Sequence, residues 1–232
     1  MNTTCVLSAK ALTKTFGSVT ALRDVSCRIE AGELVAIMGP SGSGKSTLLH
    51  CLSGVLPVDA GEVRVAGQLL SGLSDHKRSH VRLSTFGFIF QDGQLLDELT
   101  ARENVALPLM LEGTSRHKAL ARADDVLASL GLGSERTRRP GDMSGGQAQR
   151  VAVARALAVS PAVIFADEPT GALDQTTGHE VMQLLTACAH RNGAALVVVT
   201  HDPMIARWCH RLIEIRDGRI HADRMIVEED DQ

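Results

Sequence analysis

Gly39-Pro40-Ser41-Gly42-Ser43-Gly44-Lys45-Ser46 stands directly after the apolar run Leu34–Met38 and opens the helix-like run Ser46–Leu52. Each residue type has a physical reason. Glycines let the backbone curl until its N–H groups face one centre, and a helix starting there adds the positive end of its dipole. A lysine closing the curl reaches the outer phosphates of a nucleotide, and the next hydroxyl can ligate Mg²⁺. The strand–loop–helix setting is the one this spacing needs. Residues 39–46 are therefore read as a nucleoside-triphosphate cradle on an α/β fold.

Outward from the loop, Val25–Glu30, Glu62–Val65, Phe86–Phe90 and Ala162–Ala166 read as strands. Within Phe86–Phe90 the two-residue period puts three phenylalanines on one face. Ala194–Thr200 is continuously apolar, as a parallel strand covered on both faces would be. From about Asp92 to Pro140 the character changes. Ala101–Glu112 and Arg116–Leu130 carry apolar residues at helical spacing, with Gly131 and Gly133 as stop signals. Gln147–Val159 and Gly178–His190 read as further helices. The expected fold class is α/β with an inserted α-helical segment.

The composition narrows the function. The chain has 232 residues, 44% hydrophobic and 22% charged, the size of one domain at roughly 100–200 residues each. That excludes disorder, collagen and a disulfide-rich secreted scaffold. The apolar runs Leu34–Met38 and Ala194–Val199 fall far short of the ~20 residues of a spanning helix. Residues 1–20 show no basic region followed by an apolar run, so a cytoplasmic location is expected. Five scattered cysteines (Cys5, Cys27, Cys51, Cys188, Cys209) form no C-x-x-C pair, which suits free thiols better than a metal or redox site. Net charge is −3, and Glu228, Glu229, Asp230 and Asp231 account for it. The body is near neutral and lacks the basic footprint of a nucleic-acid binder. The clusters Lys77, Arg78, Arg82 and Arg136, Arg138, Arg139 read as solvated faces.

Val163-Ile164-Phe165-Ala166-Asp167-Glu168 supplies a partner for the cradle. A carboxylate emerging at a strand's C-terminal edge, beside the phosphates, is what a second Mg²⁺ contact requires. Glu168, next in line, can polarise an attacking water as general base. Met143-Ser144-Gly145-Gly146-Gln147 precedes a helix, so Ser144 and the N–H groups after it read as another anion-binding helix start. Two such phosphate sites nearly 100 residues apart are one more than a single triphosphate needs.

With these motifs the sequence resembles the ATP-binding-cassette (ABC) ATPases, from about Leu7 to Ile220. Gly39–Thr47, Gln91, Ser144–Gln147, Asp167-Glu168, Gly171–Asp174 and His201 stand in family order, with Met143 where the signature usually has leucine. The resemblance implies a P-loop NTPase core of mainly parallel sheet with an antiparallel β part. Residues 1–91 and 160–220 would form it, 92–159 an inserted helical subdomain with the signature, and 221–232 a short acidic tail. It implies ATP and Mg²⁺ as cofactors. Gly39, Pro40, Ser41, Gly42, Ser43, Gly44, Lys45, Ser46 and Thr47 would hold the phosphates. Ser46, Gln91 and Asp167 would hold the metal, and Phe16 would stack on adenine. Catalysis would fall to Glu168, His201, Gln91 and Lys45. Ser144, Gly145, Gly146, Gln147 and Asp174 would complete the site of a second copy in a head-to-tail homodimer closing over two ATPs.

Such a cassette without membrane segments implies a partner that does the work. A chromosome-structuring ATPase would need a coiled coil between the phosphate motifs, and only about 97 residues separate Ser46 from Ser144. A translation factor of the tandem type would need two cassettes. Phe90-Gln91-Asp92-Gly93-Gln94-Leu95-Leu96, Thr100-Ala101-Arg102-Glu103-Asn104-Val105 and Asp167-Glu168-Pro169-Thr170-Gly171-Ala172-Leu173-Asp174 look most like the macrolide-export, lipoprotein-release and antimicrobial-peptide-resistance cassettes. That likeness implies an ATPase subunit on the inner face of the cell membrane, powering a separately encoded FtsX-like permease. An amino-acid-type importer subunit and a non-transport ATPase signalling through a membrane partner stay open. The segment after Gln91 with the Ala101–Leu111 helix, Glu98 and Glu103 included, is expected to form the groove that receives the permease.

Overall fold

Two strands of twelve residues, Cys5–Phe16 (β1) and Val19–Glu30 (β2), pair antiparallel at the start of the chain in the computed structural model, which describes residues 4–226. Leu34–Met38 (β3) then leads through the glycine-rich loop into Lys45–Leu52 (α1). Ala60–Val65 (β4), Gln68–Leu69 (β5), Asp75–Thr85 (α2) and Phe86–Phe90 (β6) follow. The inserted helices are Ala101–Leu111 (α3), Arg116–Ser129 (α4) and, after a short 3-10 turn at Pro140–Asp142, Gly145–Ala158 (α5). Val163–Asp167 (β7), Gln175–Asn192 (α6), Ala195–Val199 (β8), Pro203–Ala206 (α7), Arg211–Arg216 (β9) and Arg219–Met225 (β10) complete the order.

These strands form two sheets. One is four-stranded and antiparallel, β2-β1-β4-β5; the other is six-stranded, β10-β9-β3-β8-β7-β6, parallel except for β10. Strands β3 and β8 of the second sheet are apolar throughout, and β7 is apolar up to its terminal Asp167, because both faces are covered. Along β3, Leu34 and Ala36 enter one core while Val35 and Ile37 enter the other. β8 divides in the same way, Leu196 and Val198 against Ala195, Val197 and Val199. Helices α3, α4, α5 and α6 cover the first face; α1, with Leu48, Leu49 and Leu52, lies between the other face and the antiparallel sheet. The three phenylalanines of β6 share a face as their period requires, and Phe86 meets Phe165 edge-on at 5.2 Å.

Some expectations are corrected. Residues 221–225 do not belong to a tail: they lie in β10, paired to β9. The acidic residues 228–231 lie outside the described residues. Arg82 is not simply solvated, since it donates to Gly54 O at 2.7 Å and to Ser79 Oγ at 2.6 Å, tying α2 to the end of α1. Arg78 pairs with Asp75 at 3.1 Å. All five cysteines are free thiols, four of them buried.

Candidate functional site

The cradle is built from close backbone approach. Gly39 has φ +151°, and a Cβ there would stand 2.1 Å from Ile215 O of β9, so no other residue fits. Gly44 forms the N-terminal boundary of α1 in the left-handed region, with no side-chain cap and no acid in the first turn. The first N–H groups of α1 are thus left to an outside acceptor, at the positive end of the helix. Lys45 Nζ donates to Gly39 O and Pro40 O, both at 2.9 Å. That places the ammonium over the same loop.

The second element comes from the next strands of the sheet. Asp167 ends β7 and accepts from Ser46 Oγ at 3.3 Å, across 121 residues of sequence. Burial pushes its carboxyl above the usual range, with the Ser46 hydroxyl opposing. Glu168 follows at φ +49°, rare for a residue with a side chain. Such a conformation costs about 1–2 kcal/mol and is held by its surroundings. Glu168 N donates to Val199 O, and its carboxylate accepts from Thr200 Oγ1 at 3.2 Å, His201 N at 3.1 Å and His201 Nδ1 at 2.7 Å. A carboxylate only accepts, so the imidazole proton sits on Nδ1 and Nε2 points elsewhere. With side-chain exposure of 75% for His201 against 22% for Glu168, the histidine forms the outer wall.

Ser46, Gln91, Asp167 and Glu168 line one cleft of ≈ 540 Å³, with Asp92, Gln94 and Ala172. Hydroxyl, amide and carboxylate oxygens are the donors a hard cation prefers. Among the described residues no group of three or more His, Cys, Asp or Glu could hold a metal alone. Mg²⁺ arriving with phosphates needs only one or two protein oxygens, and Ser46 with Asp167 fits that requirement.

Other expected site residues lie apart from this cleft. Phe16 closes β1 as an exposed residue (48%), with Lys14 Nζ 5.4 Å from its ring centroid. Ser144 caps α5: its Oγ accepts from Gln147 N at 3.2 Å, and Gln147 Oε1 accepts from Ser144 N at 3.0 Å. Two N–H groups of that helix start, those of Ser144 and Gln147, are therefore already used, leaving those of Gly145 and Gly146. Asp174 caps α6 through Thr177, whose hydroxyl hydrogen bond holds the carboxyl below its ordinary range. Gly145 and Gly146 abut this cap, for a Cβ on Gly146 would lie 2.5 Å from Thr177 Cγ2. The signature and the Asp174 loop are thus neighbours, and of these segments only Ala172 lines the cleft holding Asp167, whereas Ser144–Gln147 and Asp174 do not.

Residues 22–171 match the family described as ABC transporter. The chain belongs to that family. The ABC relatives differ in length. The lipoprotein-releasing system ATP-binding protein LolD 2 of Caulobacter vibrioides is 43% identical over 95% of this chain and 98% of its own. The macrolide export ATP-binding/permease protein MacB of Bradyrhizobium diazoefficiens is 47% identical over 89% of this chain. This chain spans only 31% of that MacB. Among solved structures, the dimeric post-hydrolysis state of the ATP-binding cassette MJ0796 bound to ADP and Pi superposes with a TM-score of 0.86. It is 39% identical over 95% of this chain and 99% of that one. The chain is thus an ABC ATPase cassette, and among the described residues no helix is long and apolar enough to cross a membrane.

Sequence reasoning missed several residues of this ABC cassette. Thr200, buried, aligns Glu168, and its signal was only a hydroxyl ending an apolar strand. Asn104, fully buried on α3, exchanges hydrogen bonds with the backbone of Leu96 and donates to Leu99 O and Thr100 O, pinning the approach to that helix. Gln149 and Arg155 on α5 bind the backbone of the Gln91 loop. A polar residue on the apolar stripe of a helix was the available sign. Glu103, expected at the groove, closes a capping box with Thr100, whose hydrogen bonds lower its carboxyl.

Proposed function

We propose that this chain is the ATP-hydrolysing subunit that powers a membrane permease of the FtsX-like kind, in export, extraction or transmission of force. The observation that carries the reading is the single cleft uniting Ser46, Gln91, Asp167 and Glu168 beside the cradle. In this reading Gly39–Thr47 wrap the phosphates and Lys45 swings from its carbonyls to the outer oxygens. Ser46, Gln91 and Asp167 would hold Mg²⁺, which would supply charge neutralisation at the transferred phosphoryl group. Glu168, immobilised by Thr200 and His201, takes the proton of the attacking water, and His201 Nε2 is left for the phosphate. Phe16 supplies a ring for adenine. Ser144–Gln147 and Asp174 of one copy complete the site of another, so the working unit is a homodimer related by two-fold symmetry.

The permease reading rests on two supports. Relatives of comparable identity include LolD, a lipoprotein-releasing system ATP-binding protein, and MacB, a macrolide export ATP-binding/permease protein. An apolar groove of ≈ 510 Å³, lined by Leu83, Phe86, Phe88, Leu107, Pro108 and Leu111, opens beside the Gln91 loop. Arg155 lines the same groove and donates to Gly93 O at 2.7 Å and Gln94 O at 2.6 Å, so a helix seated there would act on Gln91 through that loop. We place the chain at the cytoplasmic face of the membrane, held by the permease, with residues 92–159 as the subdomain that receives it. Reconstitution in liposomes with a few-span permease having a large external domain, encoded beside this chain, tests the assignment. Stimulated ATP turnover is expected, and turnover unchanged by that permease but raised by an importer-type permease would overturn it.

A further inference from the structure

We infer that Gln149 is a positioning residue for hydrolysis: its side-chain amide holds the loops bearing Gln91 and Glu168 in fixed relation. The inference rests on the reading that the cleft hydrolyses ATP. Strands β6 and β7 pair in register from Phe86 with Val163 to Phe90 with Asp167, and there the ladder ends. Gln91 and Glu168 are each one residue beyond that last pair. No strand hydrogen bond therefore sets the distance between the amide expected at the metal and the carboxylate expected at the water.

Gln149 takes over where the ladder stops. It is 2% exposed, on α5. Its Nε2 donates to Phe90 O at 3.0 Å and to Pro169 O at 2.6 Å, the carbonyls just before Gln91 and just after Glu168. Both protons of one rigid NH₂ group are thus spent, one on each loop. A buried amide is costly unless paired; here both bonds are made, so a two-point clasp exists where an apolar side chain would only fill space. The clasp sits two residues past the Ser144/Gln147 cap. A displacement of α5, whose first residues are expected to touch the second copy's nucleotide, is carried to both catalytic loops at once. Arg155, farther along α5, holds the other end of the Gln91 loop at Gly93 and Gln94.

Gln149→Met keeps length and volume while removing both donors, and Gln149→Glu keeps the shape but turns an oxygen toward two carbonyls. Full-length variants are compared with the unsubstituted chain for thermal melting, ATP affinity and steady-state turnover, well below the lowest melting temperature. Loss of the clasp lowers kcat on the order of tenfold to a hundredfold, with KM and ATP affinity within about twofold, because the cradle is untouched. The Glu variant is expected to be the slower of the two. Gln149→Met with kcat within twofold of the unsubstituted chain would overturn the inference, as would equal losses in ATP affinity and kcat, the mark of a packing role. An unsubstituted chain without Mg²⁺-dependent turnover would overturn the hydrolysis reading and this inference with it.

Discussion

His201 Nδ1 lies 2.7 Å from Glu168 Oε1, and the two residues follow the ends of the neighbouring strands β8 and β7. The pairing fixes the imidazole tautomer and removes the freedom of the carboxylate proposed above to meet the attacking water. The His201 amide donates to the same Oε1, and Thr200 Oγ1 holds the other oxygen, Oε2. Glu168→Gln keeps this shape but cannot take a proton. Turnover is expected to fall by about a hundredfold or more, while ATP affinity stays within about twofold and ATP-bound dimers accumulate. Steady-state assays with nucleotide titration and light scattering check all three, and turnover within tenfold of the unsubstituted chain would remove the general-base role.

Asp167 predicts a conflict between function and stability. Burial raises its carboxyl above the ordinary value of 3.8, so the folded state binds the proton more tightly than the unfolded chain does. Stability from this group is therefore greatest below the unfolded pKa and declines as pH rises through the folded one. Asp167→Asn removes the charge and the penalty. Without nucleotide, its melting temperature is expected to match or exceed that of the unsubstituted chain at pH 7.5, with the gap closing toward pH 4. Mg²⁺-dependent turnover is lost in the same variant. A melting temperature several degrees lower at pH 7.5 would contradict the sign.

Legibility in the sequence followed chemistry that is local. The cradle could be read because curl, lysine and hydroxyl are contiguous, and β3, β7 and β8 because strands covered on both faces are apolar without interruption. β9 and β10 were not read: Arg211–Arg216 alternates arginine and glutamate with apolar residues, and Arg219–Met225 is mostly exposed. Helix α2 buries only Val81, too little for a period to show. Thr200, Gln149 and Arg155 act on backbone atoms 32, 20 to 59 and 61 to 62 residues away, or on a side chain at that distance. Such partners exist only after folding, so no spacing rule points to them.

The four buried thiols should be inert. Desolvation pushes Cys27 and Cys209 up to about 12 and Cys51 to about 11, which leaves almost no thiolate at neutral pH. Cys5, half-buried, is the accessible one. A chromogenic disulfide reagent at pH 7.5 is expected to titrate one thiol quickly and the other four only with denaturant. Fast reaction at Cys27, Cys51 or Cys209, located by peptide mapping, would show those sites to be open.

Gly146 makes the final prediction, because its need for glycine comes from inside the chain as well as from any nucleotide. A Cβ there would lie 2.5 Å from Thr177 Cγ2. Thr177 cannot turn aside, since its N–H and hydroxyl are both bonded to Asp174. Gly146→Ala is thus expected to cost about 1–3 kcal/mol by overpacking and to push α5 from the start of α6. Thr177→Ser deletes the offending methyl yet keeps the hydroxyl for Asp174, so the double variant should recover most of the lost stability. A coupling energy of about 0.5–3 kcal/mol in that cycle is the signature of direct contact. Denaturant melts of the four proteins measure it. Additive losses would place the strain elsewhere, whereas recovered stability with turnover still depressed would separate the packing role of Gly146 from its expected contact with the second copy's phosphates.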